Sequence, residues 1–304
     1  MSEQCTVVDV GVDFSEANLE SAYFFQARLR GSNFRDANLR NARLEGDFTG
    51  GADFSGANFY GADLLRASLL GAKLKGAIFD RAFYRAETGI SDVNLLWGAI
   101  FIGPGADLSN ADFQGLDLSG LRLENANFSG ANLKKANLKY AELRSANFSS
   151  ANLRRANLMR ANLKNANFEG ANLKRVGIDG ELEGANFSLA CLRGAILDVG
   201  PFSAVNFSYA NLTRAHIYEG IIQECNFQEA KWSRGVASQV TFENCNFTGT
   251  DLSYADLLEV DFIRCDLTRA NFTGVNGGEM FIGCTFADTI MKDGSCRTVG
   301  NVSI

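Results

Sequence analysis

Ser129–Phe148 reads SGANLKKANLKYAELRSANF. Ala131, Ala136, Ala141 and Ala146 open successive five-residue units, and Leu133, Leu138, Leu143 and Phe148 stand at their centres. The beat runs without a slip from Ala106 to Asp179 and, with interruptions, through most of the remaining chain. A short fixed period lets each unit bury its apolar residues only against its neighbours, so the chain must stack on itself as a solenoid. A period of five fits neither the helical 3.6 nor the strand period of 2, which requires one corner per unit. A small and a large apolar residue two positions apart then point inward together, and the residues between and after them face water. Phe14, Phe34 and Phe54 lie 20 apart, as do Phe128, Phe148 and Phe168, and again Phe187, Phe207, Phe227 and Phe247. Four units per coil stack such rings in columns.

From Val12 to Met291 this pattern resembles the pentapeptide-repeat family, whose consensus is A(D/N)LXX centred on Leu or Phe. The resemblance implies an all-β fold: a right-handed, quadrilateral (four-sided) parallel β-helix solenoid. About thirteen coils at the ~4.8 Å spacing of paired strands make a rod of roughly 60 Å. It implies no shared catalytic site.

Repeat phase argues for a single domain, 1–304, despite a length that allows two. Its repeat blocks are 12–84, 106–178 and 185–291, with capping segments at 1–11 and 292–304. The irregular break 85–105 carries Trp97 among aliphatic and aromatic neighbours. It reads either as an irregular coil or loop folded over the outward positions Tyr60, Leu65 and Leu70, or as a partner-binding lip built around Trp97. The short turn 179–184, DGELEG, reads as solvated surface. Pro104 and Pro201, the two prolines, both lie beside phase irregularities, where a lost backbone donor costs least. No apolar run is long enough to span a bilayer, and MSEQCTVVDV lacks the pattern of a signal peptide, so a cytoplasmic location without membrane contact is expected.

An open β-helix must cover its end strands or pair with another chain. Gln4–Val10 reads as a capping strand. Leu258, Ile263 and Phe281 are expected to face outward, either beneath the tail or in an end-to-end homodimer contact.

Cys225, Cys245 and Cys265 recur at one coil in the small inward slot, and Cys284 continues the column after a one-residue slip. They read as reduced core fillers that replace Ala185 and Val205 of the same column. A straight thiol column offers no tetrahedral metal site, and the single histidine, His216, stands outward without a cysteine in its unit. No metal, cofactor or catalytic residues are expected. The Asn and Asp residues before the central positions, such as Asn132, Asn137 and Asp256, read as corner residues bonding their own backbone.

Charge carries the functional signal. Lys134–Arg175 holds ten basic and two acidic residues, whereas Val176–Ile304 holds eight basic and sixteen acidic. Lys134, Arg154 and Lys174 are one coil apart, and so are Lys135, Arg155 and Arg175. Six cations therefore form a two-wide ladder on one face. They serve either as a solvated face or as a docking strip, for which another protein with an acidic surface is the expected partner. Nucleic acid is disfavoured, because no aromatic residues interleave with the ladder and the net charge is −6. The expected function is a noncatalytic protein-interaction scaffold presenting a rigid rod surface. The family resemblance also implies an alternative, a DNA mimic that modulates or protects DNA gyrase or another type II topoisomerase. Such mimicry needs carboxylates running along a face, whereas Asp251, Asp256, Asp261 and Asp266 fall in consecutive units and circle one coil.

Overall fold

The structure is a computed structural model that describes residues 11–24, 27–45, 52–70, 72–79, 82–85, 88, 99–198, 200–298 and 302–303. It comprises two compact units, Met1–Gly103 and Pro104–Ile304. Each is a parallel β-solenoid, and no α-helix occurs among the described residues. The chain pairs with itself mostly through isolated bridges, one per pentapeptide, and each unit of five closes with a turn. In the turn after Leu133, for example, the Ala136 N–H donates to the Leu133 carbonyl at 2.9 Å, and Lys135 takes a left-handed φ of 61°. Tight corners every five residues leave only two or three residues extended between them, and this keeps most rungs too short to count as strands.

Continuous strands form where rungs broaden. β1 (Phe83–Tyr84) and β2 (Ile100–Phe101) pair in the N-terminal unit. In the C-terminal unit follow β3 (Gly177–Ile178), β4 (Ile196–Leu197), β5 (Phe202–Ser203) and the eight-residue strands β6 (His216–Gln223), β7 (Val236–Glu243) and β8 (Asp256–Ile263). β9 (Asn276–Gly277), β10 (Met280–Cys284), β11 (Thr289–Ile290), β12 (Cys296–Arg297) and β13 (Val302–Ser303) complete it. β6, β7, β8 and β10 stack in parallel, and β13 covers the outer edge of β10 in antiparallel pairing, so the chain itself satisfies that edge.

In the C-terminal unit one bridge column climbs from Asp107 through Asn127, Asn147, Asn167, Asn186, Asn206, Asn226, Asn246 and Asp266 to Thr285, about nine turns. Ala and Leu or Phe fill its interior as the repeat predicts: Ala131, Leu133, Ala146 and Phe148 are all fully buried. Phe128, Phe148, Phe168, Phe187, Phe207, Phe227 and Phe247 form one stack, the first three spaced 4.8 Å apart and nearly coplanar. The stack crosses the 179–184 segment unbroken, Phe168 lying 4.7 Å from Phe187.

That continuity corrects the reading of 179–184 as a solvated turn. The coil drops one residue there, pairing Asn162 with Glu181, and Leu182 is buried in the core. Gly180 occupies the small slot over Ala161, whose carbonyl oxygen lies only 2.0 Å from where a Cβ would stand, so the contraction requires glycine.

The N-terminal unit departs in the opposite sense. Bridges join Arg28 to Asp53, Asn33 to Asn58, Asn38 to Asp63 and Arg43 to Ser68, all 25 apart. Phe34 therefore stacks on Phe59 at 5.0 Å and 7°, while Phe54 meets Phe34 edge-on at 65°. The expected 14–34–54 column is thus wrong at its last step. The extra unit falls between Leu44 and Ala52, a stretch that lies partly outside the described residues. Farther on, the break returns to the ladder at Ile100, which pairs with Phe83, and Leu65 is buried despite its outward position.

Phe281 is a third correction, because it points inward. It stacks on Phe262 at 5.4 Å and meets Phe286 edge-on, whereas Ile282 turns outward. The residue lost from the last coils is dropped before β10, not after it: Leu257 pairs with Gly277, 20 apart, but Asp261 pairs with Met280, 19 apart. Gly277 has φ 148° and a would-be Cβ 1.9 Å from the Leu257 carbonyl oxygen. Leu258 stays exposed, as expected, and Ile263 is half-buried. The Gln4–Val10 cap lies outside the described residues.

Asn and Asp do more than turn corners. Asn147 Oδ1 accepts from its own Ser149 N–H at 3.1 Å, the expected local bond, and also from Asn167 Nδ2 at 3.2 Å in the next coil. Its Nδ2 donates to Asn127 Oδ1 at 3.1 Å. These amide ladders all donate toward the N-terminus, so their first rung needs only an acceptor. Aspartate serves there: Asp107, Asp112 and Asp117 accept from Asn127, Asn132 and Asn137 in the first coil of the C-terminal unit. Asp251 and Asp256 restart ladders above Lys231 and Val236, which offer no amide.

Candidate functional site

The six ladder cations sit in the C-terminal unit, in the two turn positions after Leu133, Leu153 and Leu173. Their coils are in register, because the Asn132, Asn152 and Asn172 bridges precede them and the Lys135 and Arg155 N–H groups donate to the Arg154 and Lys174 carbonyls at 3.0 Å. Lys134 and Lys174 are half-buried, while Lys135, Arg154, Arg155 and Arg175 are exposed. At the second turn position, Lys135, Arg155 and Arg175 share φ values of 57–61°, so their Cα–Cβ vectors are parallel from coil to coil.

The structure lengthens the ladder. The 19-residue step at 179–184 places Arg193 above Lys174 and Gly194 above Arg175, since the Arg175 N–H donates to the Arg193 carbonyl at 3.1 Å. Regular 20-residue steps then bring Arg214 and Arg234 into the second column, both exposed. These three cations escape a strict 20-residue count, although the phase change that exposes them is visible in the sequence. Among the described residues no ion pair involves any of the nine. Elsewhere on this unit cations do find carboxylates one coil away: Lys164 with Glu181 at 3.3 Å, Arg264 with Glu243 at 3.7 Å and, two coils away, Arg269 with Glu229 at 3.3 Å.

Trp97, the candidate of the break, lies outside the described residues. The cysteine column is in place, with Cys225, Cys245, Cys265 and Cys284 free and buried. Cys245, Cys265 and Cys284 donate S–H bonds to the Ile222, Phe242 and Phe262 carbonyls at 3.3, 3.3 and 3.1 Å. Bonding to the thiol of the preceding coil, with burial, pushes Cys245 and Cys265 up to about 12 and raises Cys284 as well. These thiols are therefore protonated fillers with low nucleophilicity. His216 bonds the Tyr218 hydroxyl through Nδ1 at 2.7 Å. Among the described residues no group of three or more His, Cys, Asp and Glu is placed to hold a metal ion, and no helix is long and apolar enough to cross a membrane.

The chain matches the "Pentapeptide repeat region" family over residues 106–178, and "Pentapeptide repeats (8 copies)" over 10–46, 50–83, 221–257 and 241–276. No curated protein matches it. Among solved structures it is similar to HetL, a pentapeptide repeat protein involved in heterocyst differentiation regulation in the cyanobacterium Nostoc sp. strain PCC 7120, with 20% identity, 95% of this chain and 92% of that one covered, and a TM-score of 0.28. A trypsin-treated form of QnrB1, a plasmid-mediated fluoroquinolone resistance protein, is 17% identical over 90% of each chain with a TM-score of 0.19. A pentapeptide repeat protein of the Arabidopsis thaliana thylakoid lumen is 28% identical over 46% of this chain and 67% of its own, with a TM-score of 0.16. Superpositions this loose carry no argument about role. The matched repeats span about two thirds of the residues and coincide with the bridged coils of both units, and on that ground the chain belongs to the pentapeptide repeat family.

Proposed function

We propose that this protein is a noncatalytic interaction scaffold whose basic stripe docks an acidic surface of another protein. The observation that carries the reading is the run of nine cations on adjacent coils for which no ion pair occurs among the described residues, although Lys164, Arg264 and Arg269 of the same unit do reach carboxylates. Like charges stacked near 4.8 Å repel by a fraction of a kcal/mol per pair once water and salt screen them. An acidic partner replaces that repulsion with attraction. The backbone beneath the stripe is held by the coil ladder, so little ordering entropy opposes docking. Arginine supplies six of the nine cations, and its fork suits bidentate contact with carboxylates.

The finer features implied by the family fit this reading: a right-handed, four-sided coil, about thirteen coils over the two units together, acting in the cytoplasm. The gyrase-directed alternative gains no support from the geometry. Asp251, Asp256, Asp261 and Asp266 fall on successive rungs within one coil, and the stripe has the wrong sign for a DNA mimic. Nucleic acid as a partner is disfavoured because the stripe itself carries no aromatic platform.

Affinity capture from nuclease-treated lysate tests the proposal. The native chain is compared with a variant in which Lys134, Lys135, Arg154, Arg155, Lys174 and Arg175 are all changed to Ser. A protein held by the native chain, released by moderate salt and absent from the variant supports docking at the stripe; identical captures refute it.

A further inference from the structure

The second column of the stripe has one gap. Gly194 stands where the second column would carry a side chain between Arg175 below and Arg214 above, and the missing side chain opens a concavity of about 230 Å³. Arg154, Lys174, Arg175, Arg193, Thr213 and Arg214 complete its lining, which includes five cations, one hydroxyl and no carboxylate. Arg175 leans toward the gap, its Cγ lying 3.8 Å from the place of a Cβ on Gly194. The backbone N–H groups of Arg175, Gly194 and Arg214 are all committed to the next coil, to Arg193, Thr213 and Ser233 at 3.1 Å each. Those three backbone donors are therefore not available to a ligand, which leaves recognition chiefly to the side chains.

We propose that this notch is a subsite for a phosphorylated serine or threonine of the acidic partner, a proposal that rests on the stripe being the docking surface. A carboxylate brings one charge and two oxygens, which one arginine fork satisfies. A phosphomonoester brings nearly two charges and three oxygens, and it uses convergent donors from several cations. Elsewhere on the stripe, Lys134 and Lys135 stand at the two positions of a single turn and suit carboxylates. Only at Gly194 does the stripe recede, letting cations from coils above, beside and below reach one group.

Three peptides of identical Glu-rich sequence test the idea, carrying phosphoserine, Glu or Ser at a central position, with binding followed by fluorescence anisotropy. The native chain is expected to bind the phosphoserine peptide at least about tenfold more tightly than the Glu peptide, a difference of about 1.4 kcal/mol. Gly194→Leu leaves every cation in place and fills the notch. The corner tolerates it, since Leu189 already adopts φ 60° at an equivalent position and a Cβ at 194 meets nothing closer than 3.8 Å. This variant should bind the Glu peptide as the native chain does and lose the phosphoserine preference. Arg193→Ser with Arg214→Ser should lose the preference too, whereas Lys134→Ser with Lys135→Ser, outside the notch, should weaken both peptides alike. Equal affinity of the native chain for the phosphoserine and Glu peptides overturns the notch while leaving the docking stripe standing, as does a preference that survives Gly194→Leu. Failure of the native chain to bind either peptide overturns both.

Discussion

Asn147 sits mid-ladder, and changing it to Asp isolates the direction in which the amide ladder donates. The substitution is nearly isosteric and keeps both accepted bonds, from Ser149 N–H and Asn167 Nδ2. What disappears is the Nδ2 donor to Asn127 Oδ1, leaving two acceptor oxygens facing each other across about the former 3.1 Å. One lost hydrogen bond costs roughly 1 kcal/mol, and the partly buried acceptor–acceptor contact adds a similar amount, so about 2 kcal/mol of destabilisation is expected at pH 7. The charged form is the disfavoured one, so the introduced carboxyl has a folded-state pKa above its unfolded value near 3.9. The penalty is therefore full above the folded pKa and fades as pH falls through it, because a protonated carboxyl donates again. Asp107→Asn provides the control. Asp107 begins its ladder, accepts from Ser109 N–H and Asn127 Nδ2, and donates to nothing, so an amide keeps both bonds. Bonding from Ser109 holds the Asp107 pKa below its usual value, so its charge supports the fold in full above about pH 4 and progressively less as pH falls below that, and replacing it should cost far less than N147D. Urea midpoints at pH 7 and pH 4 measure both variants. Equal losses for the two, or an N147D penalty that persists unchanged at pH 4, would refute the directional ladder.

Phe148→Ala removes a fully buried ring stacked at 4.8 Å on both sides and should cost about 3–5 kcal/mol, read as a lowered urea midpoint. Gly277→Ala forces a Cβ against the Leu257 carbonyl oxygen at a positive φ and should destabilise by about 2 kcal/mol or more, visible in thermal melting. Iodoacetamide at pH 8 should label exposed Cys296 far faster than Cys225, Cys245, Cys265 or Cys284, as followed by peptide mass spectrometry. Because the Cys245 and Cys265 pKa values rise to about 12 in the folded chain, their contribution to stability is complete below the unfolded thiol value near 8.5 and is lost as pH climbs from there toward 12; denaturation midpoints between pH 8 and 11 should fall accordingly.

Where every slot carried its consensus type, the sequence alone placed residues correctly. Ala131, Leu133 and Phe148 were legible as core, and Lys134 and Arg154 as neighbours on one face, because a strict period translates directly into stacking. What escaped were changes in coil length. Across the stretch from Leu44 to Ala52 the spacing of flanking Phe34 and Phe54 remains a multiple of five and conceals the extra unit that the 25-residue bridges reveal. DGELEG looked like a polar turn because its acidic residues outnumber its single core residue, Leu182. Whether Gly180 or Gly277 marks a turn or a contracted rung depends on how close the next backbone lies, which one-dimensional spacing does not contain. The same contraction hid Arg193, Arg214 and Arg234 from the ladder, and with them the notch at Gly194. The inter-coil amide ladders were missed for another reason: Asn at a corner has a sufficient local explanation, and its second bond is visible only once coils are stacked.

The stripe itself is tested most directly by the affinity of the captured partner as a function of salt, measured for the native chain and for Arg154→Glu with Arg155→Glu. Docking through unpaired cations predicts a loss of about tenfold or more between ~0.1 and ~1 M salt, as the screening length contracts from about 10 to 3 Å. The charge-reversed chain should melt no lower than the native one, because it replaces repulsion between coils by attraction, and yet should bind no partner. A salt-independent affinity that survives the reversal would contradict the account.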